Sequence, residues 1–171
     1  MPLIIEAAKY SAVEVTRNGS VLEIRALRPE DRSALISAVD RSSSESFYSR
    51  FFGVRHRLTE GEIAYFMNVD FINHVALVAV VEEKGCPTIA GGGRYVVMQP
   101  GKAEVAFAVV DQYQSQGVGT ALMRHLITIA RDAGIMELVA DVLPGNIQML
   151  KLFEKSGLLV RVCPGRSYGI A

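Results

Sequence analysis

The residues with the most chemistry in them lie at 103–122, Ala-Glu-Val-Ala-Phe-Ala-Val-Val-Asp-Gln-Tyr-Gln-Ser-Gln-Gly-Val-Gly-Thr-Ala-Leu. β-Branched and aromatic residues alternate with small ones over 103–110. A short polar loop follows and leads into a helical run whose first turn holds Gly117 and Gly119. The start of a helix presents N–H groups that have no intrahelical partner, at the positive end of the helix dipole. Glycine there lets a phosphate come close to the backbone with no Cβ in the way. A diphosphate is the natural ligand of such a turn. The loop carries no Lys, so backbone N–H groups must neutralise most of its charge, with the Gln114 and Gln116 amides helping. A Gly-x-Gly pair alone also suits a plain strand-to-helix turn. The standard nucleotide motifs are missing: there is no Gly-x-x-x-x-Gly-Lys, and Leu122 stands where a third Rossmann glycine would be.

One acid sits on the strand before the loop. Strand alternation puts Glu104 on the same face as Ala106 and Ala108, so its carboxylate looks into a slot rather than filling it. Apolar surroundings would raise its basicity. The plainer alternative is a solvated Glu beside Lys102.

These residues need a scaffold, and the sequence outlines one. Asn18-Gly19 between alternating runs predicts a hairpin at 13–27 closed by a two-residue type I′ turn. Pro29-Glu-Asp opens a helix to 39, a second helix covers 44–52, and Thr59-x-x-Glu62 is a capping box that starts a third, ending at 68. Strands follow at 74–81, 88–98 and 103–110, the second interrupted by Gly91-Gly92-Gly93, which marks a bulge or a close backbone approach. From 118 to 133 the apolar period becomes 3.6, with Leu122, Leu126, Ile129 and Ala133 in one stripe and Gly134 as the stop. A strand at 135–142, a helix at 145–156 and a strand at 158–163 complete the order, with a short strand near Tyr168. Mixed strands with interspersed helices read as one α/β or α+β layer system.

Composition narrows the function. The 171 residues are half apolar, enough for a core that buries roughly 70% of the unfolded surface without staples. Eighteen basic and eighteen acidic side chains cancel, which disfavours a nucleic-acid partner. Cys86 and Cys163 are far apart and read as buried or half-buried thiols of a reducing compartment. With His56, His74 and His125 they show no metal-ligand spacing, so no metal is expected. The first ten residues lack the basic start of a signal peptide, and no apolar run is long enough to span a membrane. A soluble, cytoplasmic protein is the expectation.

Two blocks in the right order give the chain a family likeness. Gln114-Ser-Gln-Gly117-Val-Gly119 matches the Gln/Arg-x-x-Gly-x-Gly/Ala signature after the fourth core strand of the GNAT superfamily of N-acetyltransferases. Asn146-Ile-Gln-Met149-Leu-Lys-Leu152-Phe153-Glu-Lys155-Ser-Gly157-Leu158 resembles that superfamily's second block, departing at Met149, Phe153 and Leu158. The likeness runs from Val21 to the C-terminus. It implies one domain over 1–171, with an acyl-CoA-binding core at 103–158. Its fold would be a single mixed, mostly antiparallel sheet of six to seven strands with helices on both faces. The sheet would be splayed at its centre, between the strands at 103–110 and 135–142.

The resemblance also implies the cosubstrate, acetyl-CoA or another short acyl-CoA. Its pyrophosphate would rest on the amides of Ser115, Gln116, Gly117, Val118, Gly119 and Thr120, beside Gln114. Its pantetheine arm would run along Phe107 and Val109 like an added strand, and Asn146 would touch it from the last helix. The implied reaction is direct attack of a neutral amine on the thioester in a ternary complex, with the Val109 main-chain N–H facing the oxyanion. Many relatives place a Tyr general acid where this chain has Phe153, so Tyr168 is left as a stand-in. Ala103-Glu104-x-x-Phe107 is similar to the strand of histone-type lysine acetyltransferases on which a Glu takes the amine proton, directly or through water. Glu104 is therefore the candidate base. The segments 44–52, 58–62 and 69–79 resemble the GNAT domain of bacterial protein-lysine acetyltransferases. The implied acceptor is then a protein lysine, such as that of an acyl-CoA synthetase, with Asp70 and His74 near the acceptor side. A small-molecule amine acceptor and a non-catalytic acyl-CoA-sensing module are the alternatives, and monomer and homodimer both stay open.

Overall fold

The computed structural model describes residues 6–41, 59–142, 151, 154 and 160–164, the backbone alone for 141–142 and 160–164. The expected helix at 44–52, the start of the helix at 145–156, Asn146, Phe153 and Tyr168 lie outside these residues; Lys151 and Glu154 are helical and exposed.

Among the described residues seven strands form one sheet in chain order: β1 (Ser11–Val15), β2 (Val21–Ala26), β3 (His74–Glu83), β4 (Cys86–Gln99), β5 (Lys102–Val109), β6 (Glu137–Val142) and β7 (Val160–Pro164). Pairings up to β4–β5 are antiparallel, while β5–β6 and β6–β7 are parallel. Helices α1 (Arg32–Asp40) and α2 (Glu60–Met67) lie against one face and α3 (Val118–Asp132) against the other. β3 separates two cores. Val75, Leu77, Ala79 and Val81 pack toward Leu122, Leu126 and Ile129 of α3, and Ala76, Val78 and Val80 pack toward Leu27 and Ala38. An apolar run buried on both faces is what a central strand requires.

Local chemistry sets the element ends. Thr59 Oγ1 accepts from the Glu62 N–H at 3.2 Å, and the Glu62 carboxylate accepts from the Thr59 N–H at 2.7 Å, so the expected capping box starts α2. At the start of α1, Asp31 grips Arg25 of β2 through two bonds of 2.7 and 2.8 Å and also accepts from the Arg28 N–H. The first hairpin differs from expectation. Val15 pairs with Val21, the Thr16 N–H bonds the Ser20 carbonyl and the Gly19 N–H bonds the Thr16 carbonyl, leaving a three-residue loop. Gly19 has positive φ and Asn18 does not, because the turn is an ordinary one followed by a left-handed bulge residue.

The glycine run of β4 does make a bulge. Ala79 pairs with Gly91 and Val80 with Ile89, so Ala90 is the extra residue. Gly91 and Gly93 also permit a close approach to β5: a Cβ on Gly93 would stand 2.6 Å from the Phe107 ring, and one on Gly91 would stand 2.8 Å from the Ala108 carbonyl oxygen. Cys86, the first residue of β4, is exposed rather than buried, because it follows directly on the two-residue reversal at Lys84-Gly85 at the end of the sheet. Among the described residues no helix is long and apolar enough to cross a membrane.

Candidate active site

Between β5 and α3 the chain turns through a 3-10 helix, Asp111–Tyr113, and then through two left-handed residues, Ser115 at φ 62° and Gly117 at φ 91°. Left-handed residues next to right-handed ones turn successive N–H groups to one side, which makes an anion-binding concavity. Gly117 is the N-cap of α3, and nothing lies within 4 Å of where its Cβ would stand. Among the described residues the turn therefore has open space in front of the first N–H groups of a 15-residue helix. Val118, Gly119 and Thr120 form the first turn of that helix. This geometry suits the diphosphate of an acyl-CoA.

The two glutamines expected to help are engaged within the loop. Gln114 Nε2 donates to the Val109 carbonyl at 3.2 Å and to Asp111 at 3.4 Å, and Gln116 Nε2 donates to the Gln112 carbonyl at 2.9 Å. Tyr113 donates to Glu83, closing the loop against the end of β3. These side chains shape the loop, which leaves its main-chain N–H groups as the donors an anion would meet.

The sheet forks beside this loop. β5 and β6 pair only from Lys102–Glu137 to Glu104–Val139, although β5 runs on to Val109 and β6 to Val142. Bonds from the Met136 and Glu137 N–H groups to the Gly101 carbonyl, at 2.8 and 3.0 Å, pin the start of β6 there. The Val110 N–H bonds the Ala90 carbonyl at 2.8 Å, so Val110 turns its polar groups toward β4. Antiparallel alternation then turns the polar groups of Val109 and Phe107 the other way, toward the side that β6 has left. The Val109 carbonyl on that side is the one Gln114 holds.

Glu104 stands at the last paired position before the fork, half-buried, on the face away from α3 with Ala106 and Ala108. His74, Val96, Glu104 and Val139 follow one another across four strands of this face. Next to this row lies Arg94, opposite Ala106. Its guanidinium covers the Phe66 ring at 4.4 Å and donates to His74 Nε2 at 2.8 Å and to the Phe66 carbonyl at 3.5 Å. Accepting from Arg94 leaves the imidazole proton on Nδ1, toward the Asn68 backbone. Burial first, and then the Arg94 charge, push the His74 pKa down to about 4, so the ring is neutral at pH 7. Burial likewise lowers the Arg94 pKa, to about 10, and the side chain stays a cation. The sequence points to His74 but not to its partner Arg94, for which an Arg inside an apolar strand is the available signal.

Asp70 accepts the N–H groups of Ile72, Asn73 and His74 at 2.8 to 2.9 Å. Those bonds hold its pKa below the usual carboxylate value, and they shape the turn into β3. Asp111 opens the 3-10 turn before the loop. Asn146, the remaining expected contact, lies outside the described residues.

The profile of the acetyltransferase (GNAT) family matches residues 37–158. The chain is 33% identical over 127 residues to acetyltransferase PA5475 of Pseudomonas aeruginosa, covering 74% of this chain and 68% of that protein. It is also 33% identical to acetyltransferase Pat of Mycolicibacterium smegmatis, over 82% of this chain, and spans only 42% of that longer protein. Among solved structures, the GNAT domain of S. lividans PAT superposes with a TM-score of 0.79 at 34% identity, covering 86% of each chain.

Proposed function

The chain belongs to the GNAT acetyltransferase family, whose enzymes transfer an acetyl group from an acyl-CoA to an amine, and from that premise we propose acetyl-CoA as the donor and a protein lysine as the acceptor. The fork carries this reading: pairing of β5 with β6 stops at Glu104–Val139, beside a loop with two left-handed residues at the start of α3. The main-chain N–H groups of Ser115 to Thr120 hold the pyrophosphate. The Phe107 and Val109 main chain bonds the pantetheine arm as a strand would.

Glu104 takes the proton from the attacking amine. A strand rises about 3.4 Å per residue, so Glu104 is about 17 Å along β5 from Val109 and about 10 Å from Phe107. With the thioester carbonyl at the Val109 N–H, the proton therefore reaches Glu104 along a chain of bound waters rather than directly. Ala106 and Ala108, small and on Glu104's face, leave room for a slender chain such as that of lysine. The lysine acceptor rests on the sequence likeness to protein-lysine acetyltransferases and on the similarity to the PAT domain. A small-molecule amine would use the same slot.

The test incubates a lysate with the protein and labelled acetyl-CoA and locates the label by mass spectrometry. Label on specific protein lysines supports the reading, and label on metabolites alone replaces the acceptor. Glu104→Gln should lower the transfer rate about 10²- to 10⁴-fold, the usual worth of a positioned base, with acetyl-CoA affinity kept. An unchanged rate would remove Glu104 from the mechanism.

A further inference from the structure

The phosphate-binding loop has no cation of its own: residues 111–120 contain neither Lys nor Arg. A diphosphate can be held by main-chain N–H groups alone. The CoA nucleotide, however, also carries a 3′-phosphate, a dianionic monoester that one concave turn cannot surround as well. A basic residue from elsewhere in the chain would have to serve it.

The β1–β2 hairpin lies along α3 with its tip at the loop. Asn18 Nδ2 in the tip contacts Gln116 Oε1 at 3.4 Å, immediately before the Gly117 cap. Further from the tip, Glu14 of β1 bonds both Arg124 and His125 of α3, the latter at 2.5 Å, and Tyr10 bonds His125 Nδ1 at 2.5 Å. The hairpin thus meets α3 at Arg124 and His125 and, at its tip, meets Gln116 in the loop that leads into α3. The two elements therefore run side by side, and the clamp fixes where the tip stands.

The tip carries Arg17. It is exposed, and no hydrogen bond or ion pair engages it among the described residues. The other basic residue of the clamp, Arg124, is held by Glu14. We infer that Arg17 is the cation for the 3′-phosphate of the acyl-CoA, delivered by the hairpin to a loop that lacks one. This inference rests on the acyl-CoA reading above and adds a residue to it. A guanidinium suits the task, since its planar fork matches phosphate oxygens. The chain has zero net charge, so no general positive field substitutes for a local cation.

Isothermal titration of CoA and dephospho-CoA into the unsubstituted protein, Arg17→Ala and Arg17→Lys decides it. Arg17→Ala should weaken CoA binding about five- to tenfold, the range of an exposed charge-assisted contact, and leave dephospho-CoA binding unchanged. Arg17→Lys should restore most of the loss, and the melting temperature of both variants should stay that of the parent, because the side chain is exposed. Equal weakening toward both ligands would place Arg17 on the diphosphate and overturn the inference. No weakening toward either would remove Arg17 from the site. Failure of the unsubstituted protein to bind CoA at all would sink the acyl-CoA reading, and the inference with it.

Discussion

Replacing each glycine of the β4 run by alanine tests how closely β5 is held at the fork. A Cβ at position 93 would stand 2.6 and 2.7 Å from two atoms of the Phe107 ring. Carbon atoms in contact prefer about 3.5 to 4.0 Å, so the ring must retreat by roughly 1 Å. Phe107 is 2% exposed within the core that α3 closes, and a retreating ring meets packed side chains. Overpacking of this kind costs about 1 to 3 kcal/mol, and the stiffer unfolded chain of an alanine variant returns about 0.4 to 1 kcal/mol. Gly93→Ala should thus lose about 0 to 2.6 kcal/mol, with a midpoint of about 1.3 kcal/mol. Position 91 is harsher: the new Cβ meets the Ala108 backbone oxygen at 2.8 Å and Leu122 at 3.3 Å, and a backbone atom cannot rotate away. Position 92 faces the other core, with its nearest contact, the Leu77 oxygen, at 3.4 Å, and should tolerate alanine within about 0.5 kcal/mol. For a chain of this size each kcal/mol moves the melting temperature by about 2 to 4 °C. Calorimetry of the three variants should rank the losses 91, then 93, then 92. A Gly93→Ala variant as stable as Gly92→Ala, or a reversed order for 91 and 92, would refute the account of a tight β4–β5 approach.

Two further predictions concern buried charge. Asp31→Ala should cost about 3 to 5 kcal/mol, because it strands Arg25, itself 8% exposed, without its partner. Burial raises the Asp31 pKa, but the Arg25 hydrogen bonds, the Arg28 N–H and the nearby charges outweigh it and leave the carboxyl below its usual value. Its contribution is therefore present above the unfolded value of about 3.9 and lost as pH falls below it. A thermal-melt series at pH 3 to 5 should show the gap between parent and variant narrowing toward the acid end, and a constant gap would contradict the pair's role. For His74, with its pKa at about 4 in the fold against about 6.5 unfolded, the unfolded chain binds the extra proton between those values. Stability from this group is whole above pH 6.5 and falls by about 2 kcal/mol by pH 5. His74→Gln should flatten that slope, and an unchanged difference in melting temperature between pH 7.5 and pH 5 would count against a neutral buried ring.

Much of this was legible because local chemistry and tertiary structure agree. The switch from period 2 to period 3.6 across 103–133 needs no partner to be read, and α3 begins and ends within a residue of the expected positions. Alternation alone put Glu104 on the face of Ala106 and Ala108. The family blocks predicted a splayed sheet, and the fork lies between the two strands expected. Other features depend on what meets what. Asn-Gly suits two hairpin loops, and the pairing of Val15 with Val21 selects the longer one. Gly91-Gly92-Gly93 announced an irregularity but not that Ala90 would be the extra residue, which follows from the register against Ala79 and Val80. The Gln114 and Gln116 amides were free to be assigned to a ligand until the loop's own carbonyls claimed them. The contact of the hairpin tip with Gln116 joins residues 98 positions apart, beyond any local pattern.

The place where the sheet opens follows from how unequally its strands are tied. β5 is registered to β4 along all eight of its residues but to β6 only from Lys102 to Glu104, and β6 is registered to β7 from Leu138 to Val142. Each strand of the central pair thus belongs more to its outer neighbour than to the other. Twisted strands that share only a short tether diverge beyond it, since each half-sheet keeps its own twist. The Gly101 carbonyl, which takes two N–H groups from the start of β6, makes that tether and sets it at the Lys102 end. Divergence therefore runs toward Val109, where the chain enters the left-handed loop before α3. One physical cause, pairing anchored at a single end, places an opening in the sheet and an anion-binding turn side by side. On the proposed reading, an acyl-CoA lying there replaces water on the β5 main chain, an exchange worth only about 0.5 to 1.5 kcal/mol per hydrogen bond. Its affinity must then come mainly from the phosphates, which is why the residues around Gly117 matter more for binding than those along the strand.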